Sequence, residues 1–447
     1  MNKKLFLILS LLFILVGCGK VTTVTTTTNI TTTSKPTSTT QVPKEYYNPY
    51  NLSMSFTGVK NEMAFHFEYK SGNTVNFVYK KNTDSEYIEV SAENSEYTYN
   101  KKTYYFKDLT LRNLEENAVY EYKLVDENNN TLFGPYEFKN GSIYSDKFTF
   151  MFLPDPQEGW EYGYSIHGNS TTNAFNYNSD IDFVINAGDI TQNAMVKNEY
   201  NWFFTYSSKF LTKMPFMATT GNHEHNTKDL DTEMFKTHFN FPKNGPVVNS
   251  LDNSEVDLEK TYSFDYMNTH FVFINTDAVC NTDNSCNVEL NADRANALES
   301  WLRNDLTNNG KKFTVIVMHR GPYAKAYNSV NIRNFFVPIF EEYNIDLVIS
   351  GHDHIYSRSI MSNQEMVDFS ELDLYNYSSS LGVTYLVSNT TSTKFYGGDK
   401  NSNIETHVSN LEEVNIIPII EISENKITVT SYDSTNLTVF ESFTINK

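Results

Sequence analysis

KFTFMFLPDPQEG, residues 147–159, is an apolar run that stops at an acid. It reads as a strand ending in Asp155-Pro156-Gln157. Taken alone, Asp155 is either a turn residue or a metal ligand. The chain then repeats the device. DFVINAG ends in Asp189, PFMATTG in Asn222-His223, FTVIVM in His319, and DLVISG in His352-Asp353-His354. Between these runs lie segments with helical spacing, such as KNEYNWFFTYSSKFL and NADRANALESWLRNDL. IRNFFVPIFEEY carries Pro338, which predicts a kink or a helix start. Buried strands alternating with helices imply an α/β core with a largely parallel sheet. Ligands bind outside the carboxyl ends of such strands, so five strand ends bearing Asp, Asn or His converge on one edge.

Those residue types suit Mn, Fe or Zn. Two ions about 3.5–4 Å apart clamp an in-line displacement at phosphorus. His352 and His354 are two apart, so in an extended segment they point the same way, allowing one per ion.

In this order and spacing, Asp155, Gly188-Asp189, Gly221-Asn222-His223-Glu224, Val317-Met318-His319 and Gly351-His352-Asp353-His354 resemble the metallophosphoesterase (calcineurin-like) superfamily, and within it the purple acid phosphatase-like branch. The resemblance implies a four-layer αββα sandwich and two metal ions (Fe, Mn or Zn). Asp189 would bridge them, Asp155 and His354 would bind the first, and Asn222, His319 and His352 the second. His223 would be the catalytic histidine, oriented by Glu224, with a metal-held hydroxide as nucleophile. Many relatives carry a His at the position of Gln157, and the purple enzymes a Tyr at that of Gln192. Either the Gln157 carbonyl or water then completes the first ion, and no phenolate–iron colour is expected. Arg320, Tyr323, Tyr356 and Arg358 follow the motifs and are candidates for holding phosphate; packing at the rim is the other reading. His167, in GYSIHGNS, is placed in a Gly-rich loop, and Asp353 is a candidate to orient a neighbouring ligand.

Residues 45–145 alternate with period two, as in EMAFHFEYK, and predict a β-sandwich. LRNLEENAVYEYKL resembles the Leu and tyrosine-corner pattern of fibronectin III domains. The catalytic domain is expected over 147–447. There are 35 basic and 54 acidic side chains, a net charge of −19, which argues against a nucleic-acid-binding surface. Lys3, Lys4 and the short apolar run Leu5–Val16 lead to LVGC, which resembles a bacterial lipobox. Residues 1–17 are then a signal peptide, Cys18 carries the lipid, and the Thr-rich 18–44 is a tether holding an extracytoplasmic enzyme to the membrane. Cys280 and Cys286 read as a disulfide, with two free thiols as the other reading. The expected function is hydrolysis of small phosphomonoesters; a phosphodiesterase or nucleotidase, and a non-catalytic surface lipoprotein with a degenerate site, are the alternatives.

Overall fold

The strands Ser53–Ser55, Met63–Tyr69, Lys102–Leu111 and Glu93–Tyr99 form one antiparallel sheet, and Ile88–Val90, Asn76–Lys81, Val119–Val125 and Thr131–Lys139 a second. The computed structural model describes residues 47–447 apart from 143, 226–231, 248–259, 281–285, 287–289, 328 and 397–403. The expected signal peptide, Cys18 and tether lie outside the described residues. No helix among the described residues is long and apolar enough to cross a membrane. Alternation drives the pairing of the two sheets: Phe65, Phe67, Phe77, Leu109, Tyr122 and Leu124 turn inward into one buried cluster. The Tyr120 hydroxyl accepts from the Glu115 N–H at 2.8 Å, the bond that closes a tyrosine corner.

Part of the polar face of this module is covered. His66 is buried against Asp108 at 2.9 Å. Glu68 pairs with the buried Lys197 at 2.6 Å, and Tyr122 donates to the Thr212 carbonyl at 2.8 Å. The described residues belong to one compact unit, and through these contacts the two modules expected from the sequence share an interface.

Beyond residue 147 two mixed sheets stack. In one, Phe216–Ala218, Phe183–Asn186 and Phe148–Phe152 run parallel, and Ile416–Ile422, Lys426–Asp433 and Val439–Asn446 continue antiparallel. In the other, Thr269–Ile274, Phe313–Arg320, Leu347–Gly351 and Val383–Val387 run parallel, flanked by antiparallel Tyr262–Tyr266 and Tyr356–Ser362. The expectation of a largely parallel sheet is corrected: the C-terminal strands return through tight turns, which enforces antiparallel pairing. Strand Phe313–Arg320 shows how the layers are read. Val315 and Val317 enter the cluster between the sheets, with Phe150 and Phe271 in edge contact at 5.5 Å. Ile316 and Met318 face the other way, onto Leu298 and Leu302 of helix Ala292–Thr307 and Phe336 of helix Val330–Glu342. Each such fully buried side chain contributes about 1.5–3 kcal/mol. Helices Glu161–Tyr177 and Lys197–Tyr206 cover the first sheet through Tyr164, Tyr200 and Phe203, completing helix–sheet–sheet–helix layers. Helix Val330–Glu342 runs through Pro338 rather than starting there; Phe336, Val337, Ile339 and Phe340 are buried along it, and that packing outweighs the lost hydrogen bond.

Candidate metal centre

Three ligand-bearing strands belong to the first sheet and two to the second, so the site forms where their carboxyl edges face each other. Two overlapping triads result: Asp189, His319 and His352, and Asp155, Asp189 and His354. Within each, the donor atoms lie within 4.8 Å of one another, all buried. Asp189 belongs to both. The backbone is bent to achieve this. Asp155, Asp189, His352 and His354 have φ of +50, +54, +67 and +51°, in the left-handed region that side chains rarely occupy and that surrounding structure must impose. Gly351 leaves the room: a Cβ there would stand 2.2 Å from Asp155 Oδ2.

Three of the histidines are fixed through their second nitrogen. His319 Nδ1 donates to the Ala187 carbonyl at 2.9 Å, which turns Nε2 toward Asn222 Oδ1 at 3.2 Å and Asp189 Oδ2 at 3.3 Å. His354 Nδ1 donates to the Lys394 carbonyl and leaves Nε2 3.6 Å from Asp155 Oδ1. His223 Nδ1 donates to the Gln192 carbonyl at 2.7 Å and points Nε2 into the site, 4.0 Å from Asp189 Oδ2. The sequence-derived ligands therefore come together.

The electrostatics ask for positive charge. Burial and the neighbouring Asp189 push Asp155 well above the carboxylate range, although His319 pulls it down. Burial would raise Asp189 too, but His319 and His223 outweigh it and hold it well below. His319 is pushed up to about 9: burial alone would lower it, and the two carboxylates override. Burial lowers His354 to about 3 and, with Arg320, lowers His352, keeping both as neutral ligand imidazoles. Gln157 is fully buried; its Nε2 lies 2.8 Å from Asp189 Oδ2 and 2.9 Å from His354 Nε2, while Oε1 has no partner. An amide flip exchanges the two atoms and aims the oxygen at the same point. Two carboxylates, three imidazoles and two amide oxygens fit a pair of cations sharing Asp189.

Several expected roles are corrected. Glu224 does not touch His223; its carboxylate accepts from the N–H groups of Asp189, Gly221 and Thr191 at 2.8, 2.8 and 2.9 Å. Gly221 caps the short 3-10 turn Asn222–Glu224, so Glu224 reaches back as a capping glutamate does. Tyr356 is turned away: its hydroxyl donates to Glu441 at 2.8 Å, beside the buried Arg358–Glu441 pair. Tyr323 packs in the helix-side core, its ring 4.7 Å from that of Tyr385. Arg320 does reach His352, at 2.9 Å, but its Nε and Nη2 are held by buried Asp277. Asp353 accepts from the N–H groups of Lys325, Ala326 and Tyr327 rather than from a ligand. His167 lies in helix Glu161–Tyr177, between Thr391 and Ser207. Cys280 and Cys286 are joined in a disulfide, which removes them as metal donors.

Three residues at the site carried no sequence signal. The Tyr396 ring lies 4.4 Å from that of His354, and the Tyr327 ring 4.8 Å from that of His352. Lys394 Nζ lies 3.0 Å from Gln192 Oε1 and 3.4 Å from His223 Nε2. Tyr327 stands seven residues beyond the strand Phe313–Arg320, and Lys394 and Tyr396 stand seven and nine beyond Val383–Val387, so none of them directly follows a strand end as the ligands do.

Residues 148–356 match the family model described as calcineurin-like phosphoesterase. Two uncharacterized proteins of Mycobacterium tuberculosis, from strains CDC 1551 / Oshkosh and H37Rv, are each 27% identical over 157 residues, 32% of this chain and 28% of theirs. The chain thus spans less than a third of the length of the curated relatives it matches. Purple acid phosphatase PPD1 from yellow lupin (Lupinus luteus) seeds superposes with a TM-score of 0.72 at 16% identity, over 89% of this chain and 74% of that one. The fold is a metallophosphatase fold with mixed sheets.

Proposed function

We propose that the chain is a metal-dependent phosphoesterase that hydrolyses small phosphomonoesters. The observation that carries this reading is the pair of buried triads sharing Asp189, faced by His223. Asp155, His354 and Gln157 would hold one ion, and Asn222, His319 and His352 the other, with Asp189 common to both. When bound, the ions supply Lewis-acid charge to the phosphoryl oxygens and acidify a water. The protein does the rest. Asp189 and Asp155 are held by backbone and histidine contacts, so the donor set is preorganised. His223, fixed by the Gln192 carbonyl, presents Nε2 to the reacting group; protonated there, it donates to the leaving-group oxygen. Burial, the largest influence on it, lowers its pKa from the usual histidine value. Tyr327 and Tyr396 wall the site beside His352 and His354. In this reading Cys18 carries the lipid that anchors the enzyme outside the cytoplasm.

The test is hydrolysis of p-nitrophenyl phosphate and its bis-ester after chelation and resupply of Mn, Fe or Zn. Metal-restored monoester turnover, abolished in Asp189→Ala and strongly reduced in His223→Ala, is expected. A folded protein inactive with every metal overturns the reading. Faster turnover of the bis-ester replaces phosphomonoesterase with phosphodiesterase.

A further inference from the structure

Lys394 lies beyond the strand Val383–Val387, in a segment pinned along its length. Thr390 Oγ1 donates to the Asp155 carbonyl at 2.7 Å. Asn415 Nδ2 donates to the carbonyls of Thr390 and Ser392 at 2.9 and 2.7 Å. Thr393 N–H donates to Glu158 Oε1 at 3.2 Å. The Lys394 carbonyl itself accepts from His354 Nδ1. The backbone bearing this lysine is thus tied to Asp155 and His354 of the Asp155–Asp189–His354 triad, and its side chain crosses the site to Gln192 and His223. A lysine held this way differs from a mobile surface lysine: its ammonium has a fixed address, half-buried, beside Nε2 of the histidine that faces the reacting group.

We propose that the Lys394 ammonium, 3.4 Å from His223 Nε2, binds a phosphoryl oxygen and selects dianionic phosphomonoesters over monoanionic phosphodiesters. Two donors this close can both lie about 2.8 Å from one anionic oxygen. A monoester dianion retains a charged oxygen for that position after two others meet the cations. A diester has instead an ester oxygen there, which carries no charge and bears a substituent that collides with the lysine. Gln192 Oε1 accepts from Lys394 at 3.0 Å, steering the ammonium to this position.

The inference rests on the phosphoester reading, and the experiment separates the two. Lys394→Met and Lys394→Arg are prepared in the full chain, with folding checked by thermal melting and metal content by elemental analysis. The affinity of the metal-loaded proteins for inorganic phosphate and for dimethyl phosphate is measured by calorimetry, and kcat/KM for both p-nitrophenyl esters. Loss of one charge-assisted hydrogen bond predicts phosphate affinity about tenfold or more weaker in Lys394→Met, recovered in part by Lys394→Arg. The dimethyl phosphate affinity changes by a smaller factor, and the monoester-to-diester ratio of kcat/KM falls about tenfold. Unchanged phosphate affinity, or equal losses for both anions and both esters, overturns the role of Lys394 and leaves the phosphoesterase reading standing. A wild type that turns over neither ester, yet binds phosphate in a Lys394-dependent way, overturns the activity and upholds the anion site.

Discussion

Replacing Glu224 by Ala tests what this residue of the GNHE motif does. Its buried carboxylate accepts three backbone N–H groups, from Asp189, Gly221 and Thr191. Burial and the Asp189 carboxylate push its pKa up to about 7, against the pull of the Thr191 and Gly221 donors. Removing it leaves three buried donors without an acceptor, at about 1–3 kcal/mol each. Water entering the space recovers part of this, so a loss of about 3–6 kcal/mol is expected, a large share of a typical folding stability. Asp189 also loses the bond that fixes its N–H while its φ is +54°. Glu224→Gln is the finer probe. With its oxygen on the Oε2 side it keeps the bonds to Asp189 and Gly221, and its NH2 group faces the Thr191 N–H, so about 1–2 kcal/mol is lost. Urea unfolding of the chelated protein and metal content after resupply measure both variants. Stability and metal content are expected to fall together, in the order wild type, Gln, Ala. A Glu224→Gln protein with wild-type stability and metal content but a hundredfold lower kcat would show that Glu224 acts through His223, and the reasoning would fail.

Gln157→Ala removes the amide that faces Asp189 and His354, and is expected to weaken retention of one of the two ions by about 10–100-fold in chelator competition; unchanged retention of both rules out Gln157 as a ligand. Iron-loaded protein is expected to lack a tyrosinate charge-transfer band, because Gln192 engages Lys394 and His223 and burial pushes the Tyr396 phenol well up; a strong visible band refutes this. His270 is held at about 9: burial would lower it, and hydrogen bonds to Asp265 and Asp305 raise it. Its folded value lies above the unfolded value of about 6.5, so its stabilisation is fully present below that pH and is lost as pH rises through about 9. The wild-type advantage over His270→Gln in urea unfolding should shrink by up to about 3 kcal/mol between pH 6 and pH 10; an advantage constant with pH shows that His270 is not charged in the fold.

What was legible in the sequence follows from what each residue depends on. Asp155, Asp189, His319, His352 and His354 stand at the ends of buried strands, so chain order carries them to the carboxyl edges of two sheets, and the stacking of the sheets brings the edges together. Glu224 acts on backbone N–H groups, which have no sequence signature, so its motif announced importance and not its role. The helix holding His167 was hidden by Gly163 and Gly168, which suggested a loop. They serve close packing instead: a Cβ on Gly163 would lie 2.0 Å from Glu158 Cγ, and one on Gly168 3.0 Å from Tyr206 Cβ. Lys394 depends on a loop whose path is set by Asn415 and Asp155, far away in the chain. Tyr356 and Arg358 show the remaining gap most plainly. Two apart on one strand, they had to share a face, and they do, both on Glu441. Alternation says that they travel together. Only the packing of Val439–Asn446 against Lys426–Asp433 places Glu441 where it draws that face away from the metals.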